Sequence, residues 1–204
     1  MKTEYEDAAL VLVDIQNDFC PGGALGVPEG DKVVDVVNRI MPLFPLVVST
    51  QDWHPANHIS FKDRGGPWPP HCVQGTPGAE LHPRLRRDLI SYHFRKASTP
   101  DKDEYSEFAG TDDRGRKLDE LLKSLNVRRI FVAGLATDYC VLATVLDGLN
   151  YGFETFVVTD ACRAVNVLPG DDQRAFDQME EAGARLITSE QLLRSGGASS
   201  AIAP

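Results

Sequence analysis

The amino-acid sequence predicts an α/β protein with a Rossmann-like, three-layer α/β/α fold around a six-stranded, mainly parallel sheet. Three observations support this prediction. Six short apolar runs recur along the chain, most are nearly continuous in Val, Ile, Leu and Phe, and helical patterns lie between most of them. Continuous apolar runs are typical of strands buried on both faces. Strands that alternate with helices form βαβ units, which give a parallel sheet covered by helices.

The apolar runs give the predicted strands in chain order. They are ALVLVD (9–14), PLVVST (45–50), SYHFRK (91–96), RRIFVAGL (128–135), ETFVVTD (154–160) and ARLITS (184–189). Apolar residues at helical spacing predict helices in four of the segments between them, at 31–44, 115–126, 138–152 and 171–184. Asp31 is expected to cap the first of these helices.

Two long segments interrupt this alternation. Residues 52–88 and 97–115 are rich in polar and turn-forming residues and have little periodicity. Loops of this length inside a compact domain are usually functional. Each follows a predicted strand, so both belong at the carboxyl edge of the sheet, where open α/β folds bind ligands. We expect a single domain over 1–204 with a frayed tail at 192–204.

The composition excludes several classes of partner. The formal net charge is −9 and the chain has no cluster of lysine or arginine, which argues against binding to nucleic acid or to an anionic membrane. No apolar run approaches the length of a membrane span, and the acidic start is unlike a signal peptide. The four cysteines are widely spaced without a CxxC pair, which favours free thiols. The sequence therefore predicts a cytoplasmic protein.

Cys140 is a candidate nucleophile. The stretch FVAGLATDYCVLAT predicts a strand, a tight turn and a helix that Thr137 or Asp138 would cap, with Cys140 in its first turn. The positive end of a helix favours a thiolate, and its free N–H groups can receive the oxygen of a tetrahedral intermediate. The alternative is a small buried hydrophobe. We expect that simpler role for the remaining cysteines: Cys20, Cys72 and Cys162.

Asp14 and Lys96 end two other predicted strands, so both should lie near Cys140 at the carboxyl edge. A thiol nucleophile needs a base and an electrostatic partner, and no histidine ends a predicted strand. The aspartate can take the thiol proton and return it to a leaving amine, and the lysine can stabilise the negative charges. The alternative for either residue alone is a structural ion pair.

A metal site is expected in the first long loop. Asp52, His54 and His58 fall within seven positions, and His71 follows in the same loop. One carboxylate and several imidazoles suit a divalent first-row metal ion. An ordinary polar surface loop is the alternative. The other two histidines, His82 and His93, have no such neighbours and are not assigned.

These residues lie in motifs that resemble those of a known family over almost the whole chain. The motifs are VDIQNDFCPGGAL (13–25), QDWHPANHISF (51–61), WPPHCVQGTPGAELHP (68–83), FRKA (94–97) and VAGLATDYCV (132–141). They resemble those of nicotinamidases, also called pyrazinamidases, in the isochorismatase-like cysteine hydrolase superfamily. The resemblance implies the isochorismatase-like hydrolase fold.

The resemblance also implies an activity, namely deamidation of nicotinamide, and also of pyrazinamide, through a cysteine thioester in NAD salvage. It makes Asp14, Lys96 and Cys140 the catalytic residues. A cis peptide between Leu135 and Ala136 would aim the Ala136 N–H, with that of Cys140, into an oxyanion hole.

One divalent metal ion is implied as the cofactor, with zinc as the first expectation and iron or manganese as alternatives. Its ligands match Asp52, His54 and His71, with His58 near or at the ion. In the family this ion binds the ring nitrogen of the substrate and attacks nothing itself. The resemblance leaves the oligomeric state open, with a homo-oligomer among the alternatives.

The expected substrate pocket is aromatic. Phe19 and Trp68 match residues that hold the ring, and Tyr105 matches one that helps to wall the pocket; Leu135 and Ala136 complete the set. The alternative for the first two is core packing. Tyr139 stands where some relatives have histidine, which could alter the pocket edge.

Two other functions compete with this interpretation. A sister cysteine hydrolase would act on another carboxamide or on an N-carbamoyl or ureido substrate, but such enzymes are expected to lack the Asp-x-His-x3-His loop. A non-catalytic metal- or ligand-binding module is the second alternative. Isochorismatase itself would lack the nucleophilic cysteine, so Cys140 argues against it.

Overall fold

The computed structural model describes residues 4–198 and contains one six-stranded sheet. Its strands are β1 (Ala8–Val13), β2 (Leu46–Asp52), β3 (Tyr92–Lys96), β4 (Arg129–Leu135), β5 (Glu154–Arg163) and β6 (Arg185–Ile187). Their order is β3-β2-β1-β4-β5-β6, and every pair of neighbours is parallel. The predicted α/β class and the six strands are confirmed, and the sheet is parallel throughout.

The α-helices are α1 (Lys32–Ile40), α2 (Leu118–Ser124), α3 (Leu142–Asn150), α4 (Asp171–Glu181) and α5 (Ser189–Ala198). The first four fall inside the predicted helical segments and are shorter than those segments. The expected cap on α1 is absent: the Asp31 side chain makes no capping hydrogen bond, and its carboxylate lies 3.6 Å from Arg84 instead.

Helix α5 extends into the expected tail at 192–204. Residues 192–198 belong to this helix, and residues 199–204 lie outside the described part of the chain. Asp160 fixes the start of the helix, because its carboxylate accepts the Ser189 N–H at 2.8 Å. Leu192 is buried in the core, and its carbonyl accepts the Tyr5 hydroxyl at 3.1 Å. Long-range contacts therefore stabilise the first turn of this helix, as far as Leu192.

Helices cover both faces of the sheet. Leu10 and Leu12 of β1 point into one apolar layer with α1 and α5, whereas Val11 and Val13 point into the other with α2, α3 and α4. All six residues of β1 are buried. This arrangement explains why the strand reads as a continuous apolar run.

The chain order places a ligand-binding crevice beside β1. The strands run outward from β1 to β2 and β3 on one side, then return to β4, β5 and β6 on the other. In open parallel sheets, ligands bind at the carboxyl ends of the strands where the order reverses. The polar strand ends identified from the sequence lie at this edge. No helix among residues 4–198 is long and apolar enough to cross a membrane.

Candidate active site

The ammonium group of Lys96 lies at the centre of a buried polar cluster. Its Nζ donates to Asp14 Oδ2 at 2.8 Å and to Asp52 Oδ1, and it lies 3.6 Å from Cys140 Sγ. The side chains of Asp14 and Lys96 are fully buried, and Cys140 is 5% exposed. The structure thus brings together the three strand-end residues, and Asp52 joins them.

Strand register explains the meeting of these residues. Lys96 and Asp52 are paired at the ends of β3 and β2. Asp14 follows β1 with a φ of 45°, a left-handed conformation that is uncommon outside glycine. Thr50 of β2 supports this bend, because its hydroxyl accepts the Asp14 N–H at 3.3 Å and donates to the Leu12 carbonyl at 3.0 Å.

Cys140 lies in a wide helical turn, Thr137–Val141, that leads into α3. Neither residue expected to cap this turn does so. Asp138 instead accepts the N–H groups of Val165 at 3.0 Å and Asn166 at 2.8 Å, which ties the turn to the loop after β5. The preceding peptide bond, Leu135–Ala136, is cis, as the family resemblance implies.

Gly134 permits β4 to pass close to β1 just before this turn. Its φ is +134°, and a Cβ atom there would lie 2.0 Å from the carbonyl oxygen of Val13. Only glycine fits this position without moving the backbone. The close approach places the turn with Cys140 beside the end of β1, where Asp14 lies.

Asp52, His54 and His71 form a group that fits a metal ion. One potential ligand atom from each residue lies within 4.8 Å of the others, and all three residues are buried. The Nδ1–H of His71 donates to the Pro69 carbonyl at 2.8 Å, and that of His54 donates to the Ala97 carbonyl at 3.3 Å. Both rings therefore leave Nε2 free for a metal. A hydrogen bond from the other ring nitrogen to a carbonyl is the contact that metal-binding histidines usually make.

The charge state of these groups also suits a cation. Burial lowers the pKa of His71, so its imidazole is neutral at pH 7. One carboxylate and two imidazoles are ligands that first-row divalent ions accept. The residues present therefore fit the metal that the resemblance implies.

The structure does not bring His58 into this group of potential ligand atoms, although it was expected near or at the ion. Its Nε2–H donates to the Lys102 carbonyl at 2.9 Å, and its Nδ1 accepts the Ser60 N–H at 3.3 Å. Both ring nitrogens are therefore occupied. The ring instead stacks on that of His54, with centroids 4.2 Å apart.

The pKa values of the buried cluster differ in direction, so its members differ in how readily they exchange a proton. Burial alone would lower the pKa of Lys96, but Asp14 and Asp52 outweigh it and raise that pKa well above its usual range. Burial also opposes the charge on Asp52, yet Lys96 and His54 hold its pKa below the usual range. For Asp14 burial prevails and raises the pKa. Two groups whose pKa values are pushed apart can take different roles, and Asp14 is the one suited to proton transfer.

The sequence suggested that the helix would favour the thiolate form of Cys140, but its surroundings favour the protonated thiol. Burial raises its pKa well above the usual range; Lys96 opposes this effect, and the charge of Asp14 adds to it. The resting thiol therefore keeps its proton. Nucleophilic attack then requires a base, and Asp14 is the adjacent proton carrier.

A pocket opens beside Cys140, with about 310 Å³ of space when the open solvent at its mouth is included. Four of the five residues expected to bind substrate line it: Phe19, Trp68, Tyr105 and Ala136. Its other lining residues are Leu25, Asp52, His71, Tyr139, Cys140 and Val165. Leu135 is the exception, because its side chain is fully buried in the core, where it lies near Gly30.

An aromatic wall shapes this pocket. Trp68 Nε1–H donates to the Tyr105 hydroxyl at 3.1 Å, and the Trp68 ring meets Tyr139 edge to face with centroids 5.0 Å apart. On the metal side, the rings of Phe19 and His71 lie 5.5 Å apart. The pocket can therefore hold a flat ring between aromatic side chains, with the thiol at one edge and the metal group at another.

Sequence reasoning missed two buried polar residues of the site. Gln16 holds the backbone of Asp52: its Nε2 donates to the Asp52 carbonyl at 2.8 Å and its Oε1 accepts the Asp52 N–H at 2.9 Å. Glu107 places Oε1 3.6 Å from Lys96 Nζ. Gln16 lies two residues after Asp14, a position that indicates proximity to the site. The second long loop is aperiodic, and its sequence does not distinguish Glu107 from its other acidic residues.

A buried thiol beside an aspartate and a lysine, at the carboxyl edge of a parallel sheet, is the arrangement of a cysteine hydrolase. The family model of the Isochorismatase domain matches residues 8–191. The chain belongs to this family.

Characterised relatives are similar over nearly the full chain. The nicotinamidase of Escherichia coli K12 is 46% identical over 203 residues, covering 88% of this chain and 94% of that protein. The crystal structure of the pyrazinamidase of Pyrococcus horikoshii in complex with zinc has a TM-score of 0.80 and 46% identity, covering 89% of this chain and 99% of that chain. PnC1 from L. infantum in complex with nicotinate has a TM-score of 0.85 and 38% identity, covering 93% and 96%. These similarities confirm the family and the fold.

Proposed function

We propose that the protein is a metal-dependent amidohydrolase that deamidates nicotinamide to nicotinate and ammonia, and pyrazinamide in the same way, in NAD salvage. The observation that carries this proposal is one aromatic pocket lined by Cys140 and His71, with Asp14 and Cys140 both in contact with the Lys96 ammonium. The pocket offers a nucleophile for a carboxamide and a metal group for a ring nitrogen. Relatives named nicotinamidase and pyrazinamidase support the choice of substrate.

The first half-reaction forms a thioester. Asp14 accepts the thiol proton of Cys140, and Sγ forms a bond to the carboxamide carbon while the carbonyl electron pair moves to oxygen. The N–H groups of Ala136 and Cys140 receive the resulting negative charge, and loss of one such donor typically costs about 10²–10³ in rate. The C–N bond then breaks as Asp14 returns its proton to the departing ammonia.

The second half-reaction restores the enzyme. Asp14 takes a proton from a water molecule, whose oxygen attacks the thioester carbon. The C–S bond breaks, and Asp14 returns its proton to Cys140 Sγ. The product leaves as nicotinate once its acid proton has passed to solvent. Lys96 keeps its charge throughout and offsets whichever of its neighbours is negative. The raised pKa of Asp14, caused by burial, suits a carboxyl that gains and loses a proton in each half-reaction.

Asp52, His54 and His71 would hold one divalent ion, with zinc as the first expectation and iron or manganese as alternatives. When bound, this ion supplies a positive charge that orients the substrate through its ring nitrogen. Phe19 and Trp68 would hold the ring so that its carboxamide faces Cys140. The four free cysteines agree with the reducing conditions of the cytoplasm, where we place the enzyme.

The replacement Cys140→Ala tests the proposed nucleophile. The variant should keep its fold and its metal but release no ammonia from nicotinamide, because no other group can form the acyl intermediate. Cys162→Ala is the matched control, since this buried free thiol lies outside the pocket. Substantial ammonia release by Cys140→Ala would rule out the assignment.

A cysteine hydrolase that acts on N-carbamoyl or ureido compounds is the competing function. The metal group and the aromatic wall favour an aromatic amide, because an open-chain ureido compound offers no ring for either feature. Ammonia release from nicotinamide, pyrazinamide and an N-carbamoyl amino acid, combined with metal analysis of the purified protein, separates the two functions. Faster turnover of the N-carbamoyl compound would favour the competitor.

A further inference from the structure

Glu107 is a buried acid that the reaction described above does not use. It begins a short 3₁₀ turn in the loop after β3, and its side chain is 1% exposed. Its Oε1 lies 3.6 Å from Lys96 Nζ, just beyond hydrogen-bonding distance. Within residues 4–195, this oxygen is the one buried side-chain polar atom without a hydrogen-bond partner. Burial of an unpaired polar atom is costly, which indicates that the position has a use.

The helix that follows the nucleophile holds Glu107 in place. The Glu107 N–H donates to the hydroxyl of Thr144 in α3 at 3.1 Å. The same hydroxyl donates to the carbonyl of Cys140 at 2.6 Å. Glu107 is thus fixed relative to the nucleophile, and its carboxyl group remains directed at Lys96.

Titratable groups from four strand ends face this carboxyl group: Asp14, Asp52, Lys96 and Cys140. Three ionised carboxylates would exceed the single ammonium by two charges in a buried space. Burial, and then the charge of Asp14, raise the pKa of Glu107 well above its usual range. Burial and the excess of carboxylates over the single ammonium therefore both favour the neutral form of Glu107.

We propose that Glu107 is a positioning residue of this amidase, acting through Lys96, and that it must be neutral for Lys96 to stabilise the Cys140 thiolate. As a neutral acid it confines the ammonium near Asp14 and Sγ without competing for its charge. Once ionised, it competes with the thiolate for the same ammonium and disfavours attack. The role in turnover rests on the function proposed above, whereas the effect on the thiol does not.

Alkylation of Cys140 by iodoacetamide across a pH series tests the effect on the thiol directly. Glu107→Gln keeps the shape of the neutral acid and cannot ionise. We expect its alkylation midpoint, mapped to Cys140 by peptide mass spectrometry, to fall by about one pH unit or more relative to the unmodified protein. Glu181→Gln, on the exposed end of α4, is the matched control and should leave the midpoint unchanged.

Turnover of nicotinamide separates positioning from simple structural support. Glu107→Gln should keep kcat within a few-fold at neutral pH. Because ionised Glu107 disfavours attack, the kcat of the unmodified protein should decline at alkaline pH, and Glu107→Gln should not show this decline. Glu107→Ala should lower kcat at least tenfold with KM within twofold, because the ammonium is no longer confined. Recovery by glutamine of what alanine loses is the sign of a positioning role.

Two results would overturn the proposal: an unchanged alkylation midpoint in Glu107→Gln, or an unchanged kcat in Glu107→Ala. If the alanine variant fails to fold, which circular dichroism shows, the glutamine variant alone decides. If the unmodified protein does not act on nicotinamide, the proposed function fails. The alkylation shift would still support or refute the role of Glu107.

Discussion

Replacement of Gln16 by methionine is expected to loosen the metal group without altering a ligand. Gln16 is fully buried after β1, and its side-chain amide bonds both the N–H and the carbonyl of Asp52. The amide thereby continues the pairing of β1 with β2 beyond the last paired residues, Leu12 and Ser49. Methionine fills a similar volume, so the core stays packed, but it offers no donor and no acceptor of comparable strength.

The size of the effect follows from the groups left without a partner. The Ala79 carbonyl loses the Gln16 contact at 2.8 Å but keeps a bond from Gln51 Nε2 at 2.7 Å. The N–H and carbonyl of Asp52 lose the partner that Gln16 supplies. Each buried unsatisfied group costs about 1–3 kcal/mol, so we expect a loss of about 3 kcal/mol in the free energy of unfolding. Zinc affinity should fall about 10–100-fold, as for other partners that orient a ligand.

Urea unfolding of the metal-free protein and competition with a chromophoric chelator measure these two quantities. Gln74→Met is the matched control: its Nε2 donates to the carbonyls of Trp53 at 2.7 Å and Ser98 at 3.1 Å, but the residue is only half-buried. Water can replace those bonds, so the control should lose less than about 1 kcal/mol. A Gln16→Met protein as stable as the control, with unchanged zinc affinity, would refute the reasoning.

Three further predictions concern the metal, pH and the other thiols. Dialysis against a chelator should chiefly raise KM for nicotinamide, and zinc should restore it; normal turnover without metal would contradict the orienting role. Burial raises the pKa of Tyr105 from 10.0 to about 12. The neutral phenol therefore stabilises the fold below pH 10, and this stabilisation is lost as pH rises towards 12. Tyr105→Phe should flatten the decline of Tm in that range, and equal slopes would contradict this. Burial raises the pKa of Cys20 to about 11 and that of Cys162 to about 12. Iodoacetamide at pH 8 should therefore modify neither thiol in the folded protein. Rapid labelling of either thiol, measured by mass spectrometry, would contradict this prediction.

The sequence was sufficient to predict the fold because strands buried on both faces of the sheet have continuous apolar sequences. A run such as ALVLVD lies between two helical layers, and its continuous apolar character records that environment. The strand ends were equally informative, since Asp14 and Lys96 interrupt apolar runs at the points where parallel strands converge. Long separation along the chain was no obstacle, because topology brings these ends together.

The remaining details depend on contacts that spacing does not encode. His58 has the spacing of a ligand, yet its ring is occupied by the Lys102 carbonyl, 44 residues away along the chain. Leu135 adjoins the pocket in sequence, but strand alternation turns its side chain into the core. Glu107 lies in an aperiodic loop whose path across the sheet edge only the structure reveals.

Asp52 explains why the metal group and the catalytic cluster form a single unit. Its Oδ1 accepts from Lys96, and its Oδ2 lies 3.4 Å from His54 Nε2, so one buried carboxylate serves both halves of the site. A neutral amide at this position would weaken the cation site and leave Lys96 with less negative charge around it. Because Lys96 also stabilises Cys140, a change at the metal group is transmitted to the nucleophile through two contacts. The orientation of the substrate and the activation of the thiol therefore depend on the same side chain, and Gln16 matters to both because it holds the backbone of that side chain in place.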